Sequence, residues 1–129
     1  MEAFTNRINL GGKQARYYDL SQFNQPLDSS STPRAPAHFY SGNSFTVGTY
    51  TPLLSKLATE FDISSLALRG YWYDKPQSRR LTREQDADML IEFLEKTQDN
   101  PVVGIGHSQG ATATAMAAAK RPELFSQLY

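Results

Sequence analysis

PVVGIGHSQGA, residues 101–111, joins a short apolar run to an alanine-rich segment through a turn held between two glycines. Val102, Val103 and Ile105 read as a buried strand of the kind found in parallel sheets covered on both faces. Ala111–Lys120 has the composition of a helix. The five residues between, Gly106-His107-Ser108-Gln109-Gly110, fit G-x-S-x-G. In a strand–turn–helix context that pattern puts a serine at the apex of a sharp, strained turn. Gly106 and Gly110 stand two residues either side of Ser108, where a Cβ would strike the neighbouring strand or helix. The hydroxyl is thereby lifted to the positive end of a helix, where developing oxyanion charge is stabilised. Ser108 is the candidate nucleophile, with Gly106 and Gly110 as the elbow glycines.

The same letters approximate a second motif, Gly104-x-Gly106-x-x-x-Gly110, a dinucleotide-binding glycine turn. That motif belongs after the first strand of its domain, with an acid about 20 positions later on a second strand. Here the turn comes last, after two earlier strand–helix units, so the nucleotide reading is set aside. Lys plus Arg equals Asp plus Glu at 13 each, which leaves no electrostatic footprint for nucleic acid or an anionic membrane. The absence of cysteine removes any disulfide, thiolate metal site or thiol nucleophile. No metal and no cofactor are expected. No apolar run approaches the roughly 18 residues of a spanning helix, and MEAFTNRINL lacks the apolar core of a signal peptide. A cytoplasmic protein without a membrane partner is the expectation.

In chain order, Phe4–Leu20 reads as a β-hairpin. Ile8 and Leu10 alternate with polar residues, Gly11-Gly12 supplies a tight turn, and Ala15 and Tyr17 resume the alternation. Gln22–Pro36, with its prolines and serines, reads as a surface loop. Ala37–Tyr40 is a short strand. Thr51 as N-cap and Pro52 at the first helical position open a helix over about 51–60. Its stripe is Tyr50, Leu53, Leu54, Leu57, Ala58 and Phe61. Ile63–Leu68 is the next strand. Thr82 with Gln85 makes a capping box for a helix to about Thr97 that buries Ala87, Leu90, Ile91 and Leu94. Strand 102–106 and helix 109–120 follow. The alternation predicts an α/β fold: an N-terminal hairpin, then a parallel sheet with helices on both faces, in three αβα layers. At 129 residues the chain is one domain at most, residues 1–129.

From Ile8 onward the chain resembles the α/β-hydrolase family, element for element, through the first five strands. SGNSFTVGTYTPLLSKLATEFDISSLALRGYW is similar to that family's loop after the third strand, first helix and fourth strand. The resemblance implies a serine hydrolase acting on a small-molecule ester, thioester or amide through an acyl-enzyme at Ser108. It places one oxyanion N–H on Gln109 and the second in the loop after the third strand, at Asn43 or alternatively Ser44. The family's usual His-Gly-x there is Ser41-Gly42-Asn43 in this chain. A haloalkane-dehalogenase variant is disfavoured, since its nucleophile is a carboxylate.

The base is the difficulty. The family order is Ser…Asp/Glu…His, yet downstream of Ser108 there is one acid, Glu123, and no histidine. His107 reads as a packing residue beside the site and His38 as structural. Tyr71, Trp72 and Tyr73 either border the pocket or cap the core, and His107, Tyr71 and Trp72 are the pocket-lining candidates. Asp74 reads as a solvated loop acid, and Lys120-Arg121 as compensation of a helix dipole. The chain is therefore expected to be an incomplete N-terminal half whose triad acid and histidine are missing. A strand at 125–129 is expected to be cut at its start, leaving 101–106 as a bare edge for a second copy or a second chain to complete. The alternative is a catalytically inactive half-domain retained for binding.

Overall fold

A computed structural model of the chain describes residues 5–20, 34–42, 47–73 and 82–129. The hairpin forms as expected, β1 (Thr5–Leu10) against β2 (Lys13–Asp19), with Gly11 and Gly12 at φ 57° and 80° in its turn. Asn9 Oδ1 accepts the Gly12 N–H at 3.0 Å. The sheet then continues through β3 (Ala35–Tyr40), β4 (Phe61–Leu66), β5 (Val102–Gly106) and β6 (Phe125–Leu128). Its spatial order is β1-β2-β4-β3-β5-β6. β3 pairs parallel with both β4 and β5, and β2 joins β4 antiparallel.

Among the described residues three α-helices lie between these strands: α1 (Thr51–Leu57), α2 (Arg83–Thr97) and α3 (Gln109–Lys120). The chain passes from β3 to β4 on one side and then from β4 across β3 to β5 on the other. Right-handed crossovers therefore put α1 and α2 on opposite faces. Alternate residues of β3 record this. The Phe39 ring meets Tyr50, at the start of α1, at 4.8 Å, while His38 meets Phe93 of α2 at 5.5 Å. The result is a three-layer α/β arrangement. No helix among the described residues is long and apolar enough to cross a membrane.

Several boundaries differ from those read in the sequence. β3 begins at Ala35 and so includes Pro36, which pairs with Asp62 on β4 alone; the ladder to β5 starts only at Ala37, so the missing N–H is not needed there. β4 starts at Phe61, because α1 has already ended at Leu57 and the chain turns through Thr59, whose Oγ1 donates to Lys56 O. The N-cap of α1 is Tyr50, not Thr51, and Leu53 of the supposed apolar stripe is 45% exposed. The α2 capping box is present in both directions, at 2.8 and 3.1 Å. Phe93, absent from the expected buried face, is fully buried there, whereas Ile91 is only partly covered.

The larger correction concerns the end of the sheet. Phe125–Leu128 is a formed strand that pairs parallel with β5. Gly106 N–H donates to Tyr129 O at 3.1 Å and Tyr129 N–H to Gly104 O at 2.8 Å. The expected bare edge at 101–106 is therefore covered, with β5 lying between β3 and β6. The short turn Pro122–Leu124 suffices to bring the chain from α3 back to the sheet, so closure is local. Lys120 and Arg121 do more than face a helix end. Lys120 Nζ bonds Asp88 and Glu84 of α2 at 2.8 and 2.9 Å, and Arg121 reaches Glu95 at 2.8 Å and also Glu123.

Candidate active site

Ser108 follows the carboxyl end of β5 and is the N-cap of α3, with φ 57° and ψ −119°. Among the described residues it is the one non-glycine with positive φ. An L-residue held there costs about 1–3 kcal/mol, so packing on either side must hold it in place. The two glycines show how. A Cβ on Gly106 would lie 2.5 Å from Ala111 Cα and 2.6 Å from Ala111 N. One on Gly110 would overlap the Tyr40 carbonyl and lie 2.5 Å from Ser41 O. The helix thus begins in contact with both β5 and the end of β3.

The Ser108 side chain makes no capping hydrogen bond and is exposed. Its carbonyl instead starts the helix, accepting from Ala111 N at 3.1 Å and Thr112 N at 3.2 Å. Gln109 is the first helical residue, and its N–H is one of those that an α-helix leaves without an internal acceptor. An exposed hydroxyl beside an N–H without a helical acceptor, at a positive helix end, is an arrangement that favours negative charge on an oxygen placed there.

The second oxyanion donor proposed from sequence, Asn43 or Ser44, lies outside the described residues, as does Asp74. The loop is followed as far as Gly42, whose N–H donates to the Tyr50 hydroxyl at 2.9 Å. That hydroxyl also lies 3.0 Å from His107 Nδ1. His107 itself is exposed, with its backbone N–H on Tyr40 O at 3.2 Å and its ring edge-on to Tyr50 at 5.7 Å. Its side chain therefore turns toward Tyr50.

His38 sits elsewhere. It is level with Gly104 on β5 and Ser64 on β4, fully buried between Tyr40 and Phe93. Its Nε2 accepts the Leu66 N–H at 3.0 Å, which leaves the proton on Nδ1. Burial pushes its pKa down to about 3. A ring so enclosed is a core residue and cannot collect a proton from Ser108. Glu123, in the turn before β6, is exposed and bonded to Arg121.

Trp72 is 1% exposed and gives its indole N–H to Ala67 O at 2.7 Å, with the Arg69 guanidinium 4.8 Å from its ring. It caps the core. Tyr73 stacks under Arg7 and Arg16 of the hairpin, and Tyr71 is 37% exposed. Two residues escaped the sequence reading. Tyr50 was placed on an apolar stripe by its ring, and nothing in the sequence points to the partners of its hydroxyl. Asp86, half-buried on the first turn of α2, is pushed up to about 6 by desolvation, partly offset by Arg83. A cleft of about 390 Å³ that includes Asp19, Asp62 and Ser64 opens at the opposite ends of the strands and is separate from Ser108.

No protein-family model and no curated protein matches the sequence. Solved structures do. E-2-(acetamidomethylene)succinate hydrolase superposes with a TM-score of 0.76 at 18% identity, over 96% of this chain and 42% of that one. The N-formylmaleamic acid deformylase of Pseudomonas putida S16 gives 0.76 at 21% identity, over 96% and 44%. An epoxide hydrolase from Vigna radiata gives 0.76 at 15%, over 96% and 38%. The chain has the α/β-hydrolase fold. It spans less than half the length of each of these proteins.

Proposed function

We propose that this chain carries the nucleophile of a serine hydrolase that acts on an ester, thioester or amide. The observation that supports this most directly is the strained Ser108 at the start of α3, with its hydroxyl exposed and uncommitted to the helix cap. In this reading Ser108 Oγ adds to the acyl carbon and its proton passes to a base. The leaving group departs with that proton, and water then cleaves the acyl-enzyme. The Gln109 N–H and an N–H at Asn43 or Ser44 hold the oxyanion. No cofactor takes part.

The base and its orienting acid are assigned to residues outside this sequence. His38 is enclosed and neutral, His107 is engaged by Tyr50, and no histidine follows Ser108. They would come from further strands beside β6, on the same chain or a separate chain. In this reading the setting is cytoplasmic, with which a chain free of cysteine is compatible. Labelling with a fluorophosphonate probe tests the reading: in the presence of the remaining part of the fold the chain should take the probe and Ser108→Ala should not, and the chain alone should take little. Equal labelling of both would discard Ser108 as the nucleophile. The second reading is an inactive half-domain kept as a binding partner, favoured by the enclosure of His38 and the engagement of His107 by Tyr50. No labelling, even in the presence of the remaining part of the fold, would select it.

A further inference from the structure

We propose that Tyr50 is a positioning residue, whose hydroxyl ties the loop leaving β3 to the residue that precedes Ser108. The role of that loop rests on the reading of Ser108 as nucleophile; the tie itself does not. The phenol lies at a junction. It accepts the Gly42 N–H at 2.9 Å and lies 3.0 Å from His107 Nδ1. Its ring is fixed from below by Phe39 at 4.8 Å and edge-on by His107 at 5.7 Å. The backbone pairing of β3 with β5 runs out at Tyr40 and Gly106, with one further bond from His107 N–H to Tyr40 O. Past that point the Tyr50 hydroxyl carries the connection between the two strand ends.

Space at the junction is set to this arrangement. A Cβ on Gly42 would lie 3.1 Å from both His107 Nδ1 and Tyr50 Oη, closer than an ordinary contact, so a side chain there would have to displace one or both of them by a few tenths of an ångström. The tie also has a chemical consequence. The Gly42 N–H points at Tyr50 and is spent, so it cannot serve as an oxyanion donor; that task falls to an N–H further along the loop. Anchoring the amide at the start of a donor loop to the elbow is the kind of preorganisation that stabilising an oxyanion calls for.

The test compares the chain with its Tyr50→Phe variant, which keeps the ring and removes the oxygen. Three quantities are read: hydrogen exchange at the Gly42 amide, the ¹⁵N signal of His107 Nδ1, and the rate of fluorophosphonate capture by Ser108. Exchange at Leu66, whose amide is bonded to His38, reports whether the fold is intact. Loss of one neutral bond predicts Gly42 exchange about three- to tenfold faster and a displaced Nδ1 signal, with Leu66 unchanged. Capture by Ser108 should slow by a similar factor. Unchanged Gly42 exchange and an unmoved Nδ1 signal would overturn the tie. Faster exchange with undiminished capture would overturn its positioning role. A wild-type chain that takes no probe even with the remaining part of the fold present sinks the nucleophile reading instead, and the tie is then decided by the exchange and ¹⁵N results alone. Should Leu66 lose protection in Tyr50→Phe, Gly42→Ala decides the matter: it must displace the Nδ1 signal while Leu66 stays protected, and an unmoved signal refutes the tie.

Discussion

Gly110 of α3 packs directly on the carbonyl oxygen of Ser41, so closely that a Cβ on it would come within 2.5 Å. The obstacle is backbone on both sides of the contact, since Tyr40 O is nearer still, and no side chain can rotate aside to relieve it. Gly110→Ala should therefore force the helix start away from β3, at a cost of about 3 kcal/mol. The expected result is a thermal midpoint lowered by more than about 5 °C and loss of probe capture at Ser108. A variant as stable as the parent would contradict the close approach.

The positive φ of Ser108 gives a second expectation. Ser108→Ala keeps the strain and removes only an exposed hydroxyl that caps nothing, so stability should barely change. Ser108→Gly relieves the strain, partly offset by the larger chain entropy of glycine when unfolded. The glycine variant should be more stable than the alanine variant by about 1 kcal/mol in urea unfolding. Equal midpoints would remove the argument that this turn is held under strain.

His38 makes stability depend on pH. Its folded pKa of about 3 lies below the unfolded value of about 6.5, so between the two the unfolded chain binds the extra proton. Stability is full above about pH 6.5 and falls as the pH drops toward about 3, by up to about 1.4 kcal/mol per pH unit. Urea titrations at pH 7.0 and 5.5 should differ accordingly, and His38→Gln should flatten that part of the dependence whatever its stability at neutral pH. An unchanged slope in the variant would mean that another group is responsible.

Lys120 and Arg121 predict a small effect. Their bonds to Glu84, Asp88 and Glu95 join α3 to α2, but every partner is substantially exposed. Exposed pairs are worth about 0–1 kcal/mol. Replacing either with methionine, which keeps the aliphatic stem, should cost no more than that, and the cost should shrink in 0.5 M salt. A loss of several kcal/mol would show that the pairs hold the helices together.

Much of this molecule is local and could be read from the chain. The hairpin follows from Gly11-Gly12 between alternating residues and the start of α2 from Thr82 and Gln85, because each pattern is satisfied within a few residues of itself; the turn at Ser108 was legible from its flanking glycines, although what requires Gly110 is the distant backbone of Tyr40 and Ser41. Tertiary structure decided the rest. Whether His38 was a base or a core residue depended on Leu66, 28 positions away, offering its N–H. Trp72 became part of the core because Ala67 O lay within reach of its indole. The covering of β5 depended on Phe125–Leu128 returning beside it, and the role of Tyr50 on Gly42 and His107 converging on one oxygen. A side chain's propensity is written in its own neighbourhood, whereas its partner is chosen only when the sheet brings distant strands to the same edge.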